Sequence, residues 1–397
     1  MKHVCIIGTC DTKHTEILYV RNLLHRLGIS TCIVDVGVFE QALPPDAGQV
    51  VPLRERRPDV FSSIADRGRA LALMGTLLED FLAEQQNTIS GVMGLGGSGN
   101  TAVVTRGMRL LPIGLPKLMV STVASGDVAP YVGASDICMM PSVADVQGLN
   151  VMTRKILGNA AHALAGMVQH PCPDEKDGRT LVGMSMFGVT TPCVQQVCAL
   201  LPDNYEPLVF HATGTGGRSL EKLVDSGMAR LVIDLTLTEI CDLFMGGVMS
   251  AGDDRLGAII RTGIPYVGSV GALDMVNFAA MPTVPEKYRE RTLFVHNENV
   301  TLMRTTAEEN AAMGKWIGER LNRCSGKVRF LLPEGGVSAI DAPGMPFHDP
   351  QADAALFDAI EASVIRTGDR QVIRVPHHIN APAFAETVRD HFLAIQG

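Results

Sequence analysis

Aromatic side chains are scarce in this sequence, at 5% with a single tryptophan, and charged residues make up only 19%. So little charge leaves no room for a long disordered polyelectrolyte, which needs low hydrophobicity and high net charge to stay unfolded. No run of Lys and Arg interrupts a formal charge of -8, so a nucleic-acid surface is not expected. No stretch approaches ~18 uninterrupted apolar residues, so a membrane span is not expected either. The first apolar run, His3 to Ile7, is too short for a signal peptide. The nine cysteines form no C-x-x-C pair, and Cys5, Cys32 and Cys138 fall inside expected strands, where a thiol packs as a small hydrophobe. A reducing cytoplasm is the expected location.

Several chemistries are missing by motif. A Walker loop fails because neither Gly-Lys pair, at Gly314 and Gly326, is followed by Ser or Thr. No H-E-x-x-H or cysteine pair suggests zinc, and the G-x-S-x-G elbow of hydrolases does not occur. A dinucleotide dehydrogenase needs an acidic residue ~20 positions beyond its glycine turn to hold the ribose. Between Asn100 and Gly126 there is no Asp or Glu. Asp35 could play that part for the first strand pair, yet the turn before it, GTCDTK, lacks the glycines.

What the chain has in quantity is apolar surface in short pieces. Hydrophobic residues are 46% of 397, and a chain longer than ~250 to 300 residues is expected to split into two cores. Strand-like runs alternate with helical periodicity along the chain, which reads as α/β with parallel strands. HPCPDEKDGR combines two prolines with five charges. Residues 171–179 are therefore read as a linker between an N-terminal domain, 1–170, and a C-terminal one, 180–397.

In the first half, His3 to Gly8 and Ser30 to Val36 read as strands joined by a helix from about Thr15 to Leu27. The loop Thr9 to Lys13 then lies beyond the carboxyl end of the first strand, the edge where open α/β sheets bind ligands. There Lys13 could meet a phosphate, and Asp11 with Thr12 a metal-bound water; the alternative is a plain helix cap. GLGGSGNT, Gly94 to Thr101, follows the strand Ile89 to Met93 and opens a helix at Asn100. Gly94, Gly96 and Gly99 satisfy G-x-G-x-x-G, glycines let the backbone approach an anion, and first-turn N–H groups point at it. A third polar loop, Thr122 to Asp127, follows the strand Lys117 to Ser121. Arg54 stands with Arg56 and Arg57 in the polar segment 37–58, read as loop, and could close over a nucleotide. A long helical pattern spans Asp59 to Gln86.

The second half repeats the alternation. Another glycine stretch, ATGTGGRS, precedes a helix expected from Ser219. Polar residues follow nearly every expected strand: His211, Asp234 with Glu239, His296 with Asn297 and Glu298, then Glu334, Ser338 and Asp341. The most unusual piece is EGGVSAIDAPGMPFHD, Glu334 to Asp349, a long loop of the kind that is often functional. Glu334, Asp341 and His348 are the expected catalytic groups.

GTCDTKHTE, GLGGSGNT, TVASGD and PEGGVSAIDAPGMPFHDP together resemble the Tm-one-like ATP-binding domain family, an uncharacterised family related to the N-terminal part of a plant virus-resistance protein. The resemblance runs over essentially the whole chain, in order. It implies two Rossmann-like, doubly wound, mainly parallel-sheet subdomains, ATP on the N-terminal one, and a homodimer. Carried over by motif, the nucleotide contacts fall on Thr12 and Lys13, on Gly96, Gly97, Ser98, Gly99, Asn100 and Thr101, and on Ser125, Gly126 and Asp127. Arg54 joins them without a motif to anchor it. Some relatives carry a further C-terminal barrel domain; this sequence ends without one, so a reaction needing it is expected to borrow it from a separate chain.

The expectation is thus a cytoplasmic ATP-binding protein, an ATP-dependent enzyme of the phosphoryl-transfer, nucleotidyl-transfer or ligase type. It would act on a small polar or carboxylated metabolite at an interdomain cleft, with Asp11 and Asp127 assisting Mg2+. A non-catalytic, nucleotide-responsive protein-binding module is the rival, and an NAD-dependent dehydrogenase stands third.

Overall fold

The computed structural model describes residues 2–39, 50–64, 66–172 and 178–396. Residues 40–49 of the polar segment and 173–177 of the expected linker lie outside the described residues. The chain divides into two compact units, Met1–Glu175 and Lys176–Gly397.

The first unit alternates β1 (His3–Gly8), α1 (Cys10–Arg26), β2 (Thr31–Asp35), β3 (Val50–Pro52), α2 (Pro58–Ser63), α3 (Arg67–Gln85), β4 (Ile89–Gly96), α4 (Ser98–Met108), β5 (Lys117–Ser121), α5 (Ala129–Val132), β6 (Cys138–Pro141) and α6 (Val151–Gln169). Its sheet runs β3-β2-β1-β4-β5-β6, and every pair is parallel. The strands are near-continuous apolar runs because helices cover both faces. In β1, Cys5 and Ile7 pack with Leu78 of α3 and Val104 of α4, while Val4 and Ile6 pack with Ile17 of α1 and Leu164 of α6. The order of strands reverses between β1 and β4, which opens a crevice at their carboxyl ends.

The second unit contains β7 (Thr180–Met186), α7 (Thr191–Leu200), β8 (Tyr205–His211), α8 (Thr215–Asp225), β9 (Leu231–Thr236), α9 (Thr238–Met245), α10 (Gly257–Thr262), β10 (Tyr266–Gly271), β11 (Met275–Phe278), β12 (Leu293–Asn297), β13 (Val300–Arg304), α11 (Ala307–Asn322), β14 (Val328–Pro333), α12 (Pro350–Ser363), β15 (Arg370–Val375) and α13 (Pro382–Ile395). Six parallel strands run β15-β14-β10-β9-β7-β8. Both units are doubly wound α/β sheets, but the second reverses direction between its first and third strands, β7 and β9. Among the described residues no helix is long and apolar enough to cross a membrane.

The structure differs from the sequence reading at several places. The 59–86 helix is two, α2 and α3, because Asp66 accepts the N–H of Arg69 at 2.7 Å and starts a new helix. Arg54 sits in a short 3-10 turn, Leu53–Arg56, rather than in open loop. The strand expected at 292–296 belongs to a separate antiparallel sheet, β11-β13-β12. His296, Asn297 and Glu298 therefore sit at a hairpin and not on the carboxyl edge of the main sheet.

Candidate functional site

In the first unit, α1 begins at Cys10, five residues before its expected start. The reason is a carboxylate from the next strand. Asp35 Oδ1 accepts the N–H of Cys10 at 2.8 Å and of Gly37 at 2.9 Å, so it caps the helix in place of a local side chain. Burial raises the Asp35 carboxyl above its ordinary range. An acid so engaged is poorly placed to hold a ribose. The segment 10–13 is consequently the first helical turn, with Thr9 O accepting from Thr12 N and Lys13 N. Thr12 is exposed, and its hydroxyl lies 2.9 Å from Thr9 Oγ1 and 3.2 Å from Asp11 Oδ1. Lys13 leaves helical geometry at φ -127°, ψ 17°.

Across the crevice, Gly96 ends β4, Gly97 is the residue before α4, and Ser98, Gly99 and Asn100 form its first turn. Asn100 Nδ2 donates to Leu95 O at 2.6 Å. Thr101 is buried, donates to Gly97 O at 2.9 Å, and stands 2.6 Å from Ser121 Oγ at the end of β5. These contacts fix the glycine turn against the next loop. A methyl group on Gly97 would meet only Thr122 Oγ1, at 3.8 Å. Among the described residues nothing else lies within 4 Å of that methyl position.

Beside it lies a cleft of 370 Å3 lined by Thr122, Ser125, Ser142, Val143, Ala144 and Asp145. Val143 has φ 62°, an outlier for a β-branched residue, and such strain collects at ligand sites. Ser125, Gly126 and Asp127 are exposed. Asp127 Oδ1 accepts the N–H of Ala129 at 3.0 Å and so caps the short α5. Arg54 lines a separate pocket of 150 Å3 with Phe39, Phe61, Asp66 and Arg67. That pocket borders the first turn of α3, whose Leu71 would stand 3.5 Å from a methyl on Gly99. Among the described residues no three His, Cys, Asp or Glu side chains are grouped to hold a metal ion.

The second glycine stretch is built differently. Its helix, α8, starts at Thr215, and Glu239 Oε1 accepts the N–H groups of Gly214 at 2.7 Å and Gly217 at 2.9 Å. A methyl on Gly216 would overlap His211 O, and one on Gly217 would overlap the Glu239 carboxylate. The anion at this helix end is already part of the protein, and Gly217 makes room for it.

The C-terminal loop forms a second site at the ends of β14 and β15. A cleft of 270 Å3 is lined by Glu334, His348, Asp353, Phe357 and Arg374 with neighbouring glycines and prolines. Glu334 and His348, both expected from sequence, thus face one cavity. Asp341 lies behind it, fully buried, with Oδ2 accepting Val337 N at 2.8 Å. Arg304 bonds Asp353 Oδ1 at 2.7 Å and stands 3.7 Å from Asp341 Oδ1. Asp274, also fully buried, accepts from Ser338 Oγ at 2.7 Å. Burial pushes the Asp274 carboxyl up to about 7. Burial, then the charge of Asp341, pushes Asp353 up to about 8, against the pull of Arg304.

A carboxyl whose folded value is raised favours the fold while it keeps its proton. Its stabilisation is complete below about pH 4 and is lost as pH rises toward about 8. Asp353→Asn, which cannot ionise, should therefore match the parent protein in acid and melt a few degrees higher above about pH 8. Thermal unfolding across pH checks this; a variant that melts lower at alkaline pH contradicts the assignment.

Sequence reasoning overlooked Asp353, Arg304, Asp274 and Arg374. The signal for Asp353 was present: it shares the buried stripe of α12 with Leu356, Phe357 and Ile360, spacing i, i+3, i+4, i+7. A carboxylate on an apolar helix face is the unusual observation. The other three owe their place to contacts far apart in sequence.

Comparison with known proteins follows this division. The model described as Uncharacterised protein family (UPF0261) N-terminal domain matches residues 2–172, and the corresponding C-terminal domain model matches 179–396. A UPF0261 protein of Mesorhizobium japonicum is 53% identical over 390 residues, 98% of this chain and 98% of its own. The ToMV resistance protein Tm-1 of Solanum lycopersicum is 42% identical over 420 residues, 99% of this chain and 55% of that protein. The chain thus spans about half of the tomato protein. Among solved structures, a UDP-N-acetylglucosamine 2-epimerase from Rickettsia bellii covers 67% of this chain and 78% of its own at 11% identity, with a TM-score of 0.22 that is too low to support an argument.

Proposed function

The chain belongs to the uncharacterised protein family UPF0261, and for it we propose an ATP-binding protein whose first unit takes the nucleotide phosphates at the turn 96–101. The observation that most supports this reading is the open face of Gly97, set over the first turn of α4 at the sheet's reversal point. Among the described residues no N-cap side chain takes an N–H group of this first turn, whereas Glu239 fills those of Gly214 and Gly217 in the second glycine stretch. Thr12 and Lys13 would approach from α1 across the crevice, and Ser125 to Asp127 from the loop after β5. Arg54 would contribute from its adjoining pocket. Mg2+ would be held mainly by phosphate oxygens with one carboxylate, Asp11 or Asp127.

On this reading the protein is a cytoplasmic, homodimeric, ATP-dependent enzyme. The cleft of the second unit, with Glu334 and His348 on its wall, would receive a small polar metabolite. The dehydrogenase alternative loses ground because Asp35 is committed to α1.

The test is thermal unfolding with ATP and Mg2+ beside ADP, AMP and NAD. A ligand at ~100 times its dissociation constant adds about 2.7 kcal/mol, a shift of a few degrees. A shift with ATP supports the site, and a shift with NAD alone overturns it. Release of ADP or AMP with a small-molecule acceptor then separates an enzyme from the binding module, for which tight binding without turnover is expected.

A further inference from the structure

Among the described residues the three sheets present six edges, and five of them are closed to another strand. A bare edge offers a row of unpaired N–H and C=O groups to any passing chain, so folds blunt it with short strands, proline, charge or a cover. In the first unit, β3 has three residues and ends at Pro52, and β6 has four and ends at Pro141. In the main sheet of the second unit, Ala212 N donates to Met186 O at 2.7 Å. Counting back by twos from its neighbour His211, the outward residues of β8 include Pro207, which has no N–H to offer. At the other edge of that sheet, Arg370 N donates to Thr367 Oγ1 and Arg370 O accepts from Thr367 N, both at 2.9 Å. On β11, Asn277 N donates to Asp242 Oδ1 at 2.7 Å and Asn277 O accepts from Val248 N at 2.8 Å.

The sixth edge, β12, has none of these devices. Its five residues, LFVHN, include no proline, lysine, arginine or carboxylate. Thr292 O accepts from Arg304 N at 2.9 Å, and Phe294 lies opposite Leu302, so these two residues turn their backbone groups toward β13. Leu293 and Val295, between and beyond them, turn theirs to the open side. Val295 is 56% exposed.

We propose that β12 pairs with β12 of a second copy of this chain, antiparallel about a two-fold axis at Phe294, and so joins the two small sheets into one. In this register Leu293 faces Val295 of the partner subunit, Val295 faces Leu293 of the partner subunit, and each pair exchanges both of its N–H···O=C bonds. The exposed Val295 gains an apolar neighbour across the axis, and the uncharged strand brings no like charges opposite one another. A second copy is the occupant because one bare edge per chain closes at two, whereas two bare edges would propagate a filament. The seam also adjoins the cleft of the second unit: the Phe294 ring meets Phe347 edge-on at 6.5 Å, and His348 on the cleft wall is the next residue. The proposal rests on the homodimer of the preceding reading, and on neither nucleotide nor acceptor binding.

The test is sedimentation velocity of the full chain between about 1 μM and about 100 μM, with hydrogen exchange resolved to single amides. The parent should be a dimer. Val295→Pro removes an outward N–H without touching the bonds to β13, and should raise the dissociation constant at least about tenfold. Val295→Lys, which sets two ammonium groups near the axis, should do the same, and decides alone if Val295→Pro does not fold. In the parent dimer the amides of Leu293 and Val295 should exchange slowly; in the Val295→Lys monomer Leu293 should exchange fast, while Phe294, bonded to β13, stays slow. Equal dimer affinity in folded Val295→Lys, or fast exchange at Leu293 in a dimeric parent, overturns the β12 seam and leaves the homodimer standing. A parent that is monomeric at every concentration overturns both.

Discussion

Gly97→Val is expected to lose the melting shift given by ATP while the ligand-free protein melts within a few degrees of its parent. The first half of that expectation follows from space: the two methyl groups of valine would occupy the volume into which a phosphate must come. The second half follows from geometry. Gly97 has φ -85° and ψ -171°, a conformation open to any residue, and an added methyl would have nothing closer than Thr122 Oγ1 at 3.8 Å. Its carbonyl keeps its bonds from Thr101. Surface changes of this kind usually alter stability by no more than ~0.5 kcal/mol. The neighbouring glycines serve as controls, since each is glycine for another reason. Gly94 lies against Met119 and Val104, where a methyl would overlap both, and Gly96 has φ 150°, which strains any side chain. Replacing either should lower the melting temperature of the ligand-free protein. Calorimetric titration with ATP completes the test: unchanged affinity in a folded Gly97→Val protein would remove the phosphates from this turn.

The alternation of apolar runs with helical periodicity made both parallel sheets legible, because a strand covered on two faces needs apolar residues at every position, as Val4 to Ile7 have. The helix starts were less legible. α1 is capped by Asp35, a residue 25 positions away, and no local signal announces such a cap. The two glycine stretches look alike in sequence and differ in what fills them, which turns on Glu239 reaching back 25 residues to Gly214. In the second unit Glu334 and His348 could be read from their unusual loop. The charge state of the site could not, since it is set by Arg304 and Asp274 arriving from β13 and from the turn before β11.

Replacing Arg255 by Met should unfold the second unit. Arg255 has 2% exposure and bonds Asp234 through both terminal nitrogens at 2.7 Å, Glu239 through Nε at 2.9 Å and Glu221 at 3.1 Å. Methionine fills much of the volume and leaves three buried carboxylates facing one another. Removing one partner of a buried ion pair costs about 3 to 5 kcal/mol, and here three partners are stranded, against a total stability of ~5 to 15 kcal/mol. The damage spreads because Glu239 also holds the start of α8 through Gly214 and Gly217, and Glu221 accepts the N–H groups of Leu256 and Ala258 before and within α10. Arg255→Lys should fail nearly as badly, since one ammonium cannot reach three carboxylates in the planes that a guanidinium spans. Burial already raises the Glu221 and Glu239 carboxyls. Without the arginine they rise further, so the defect should ease as pH falls and they take up protons. Urea unfolding followed by circular dichroism, at neutral pH and at about pH 5, measures both effects. A loss below about 1 kcal/mol at neutral pH would mean that water, not Arg255, satisfies these acids.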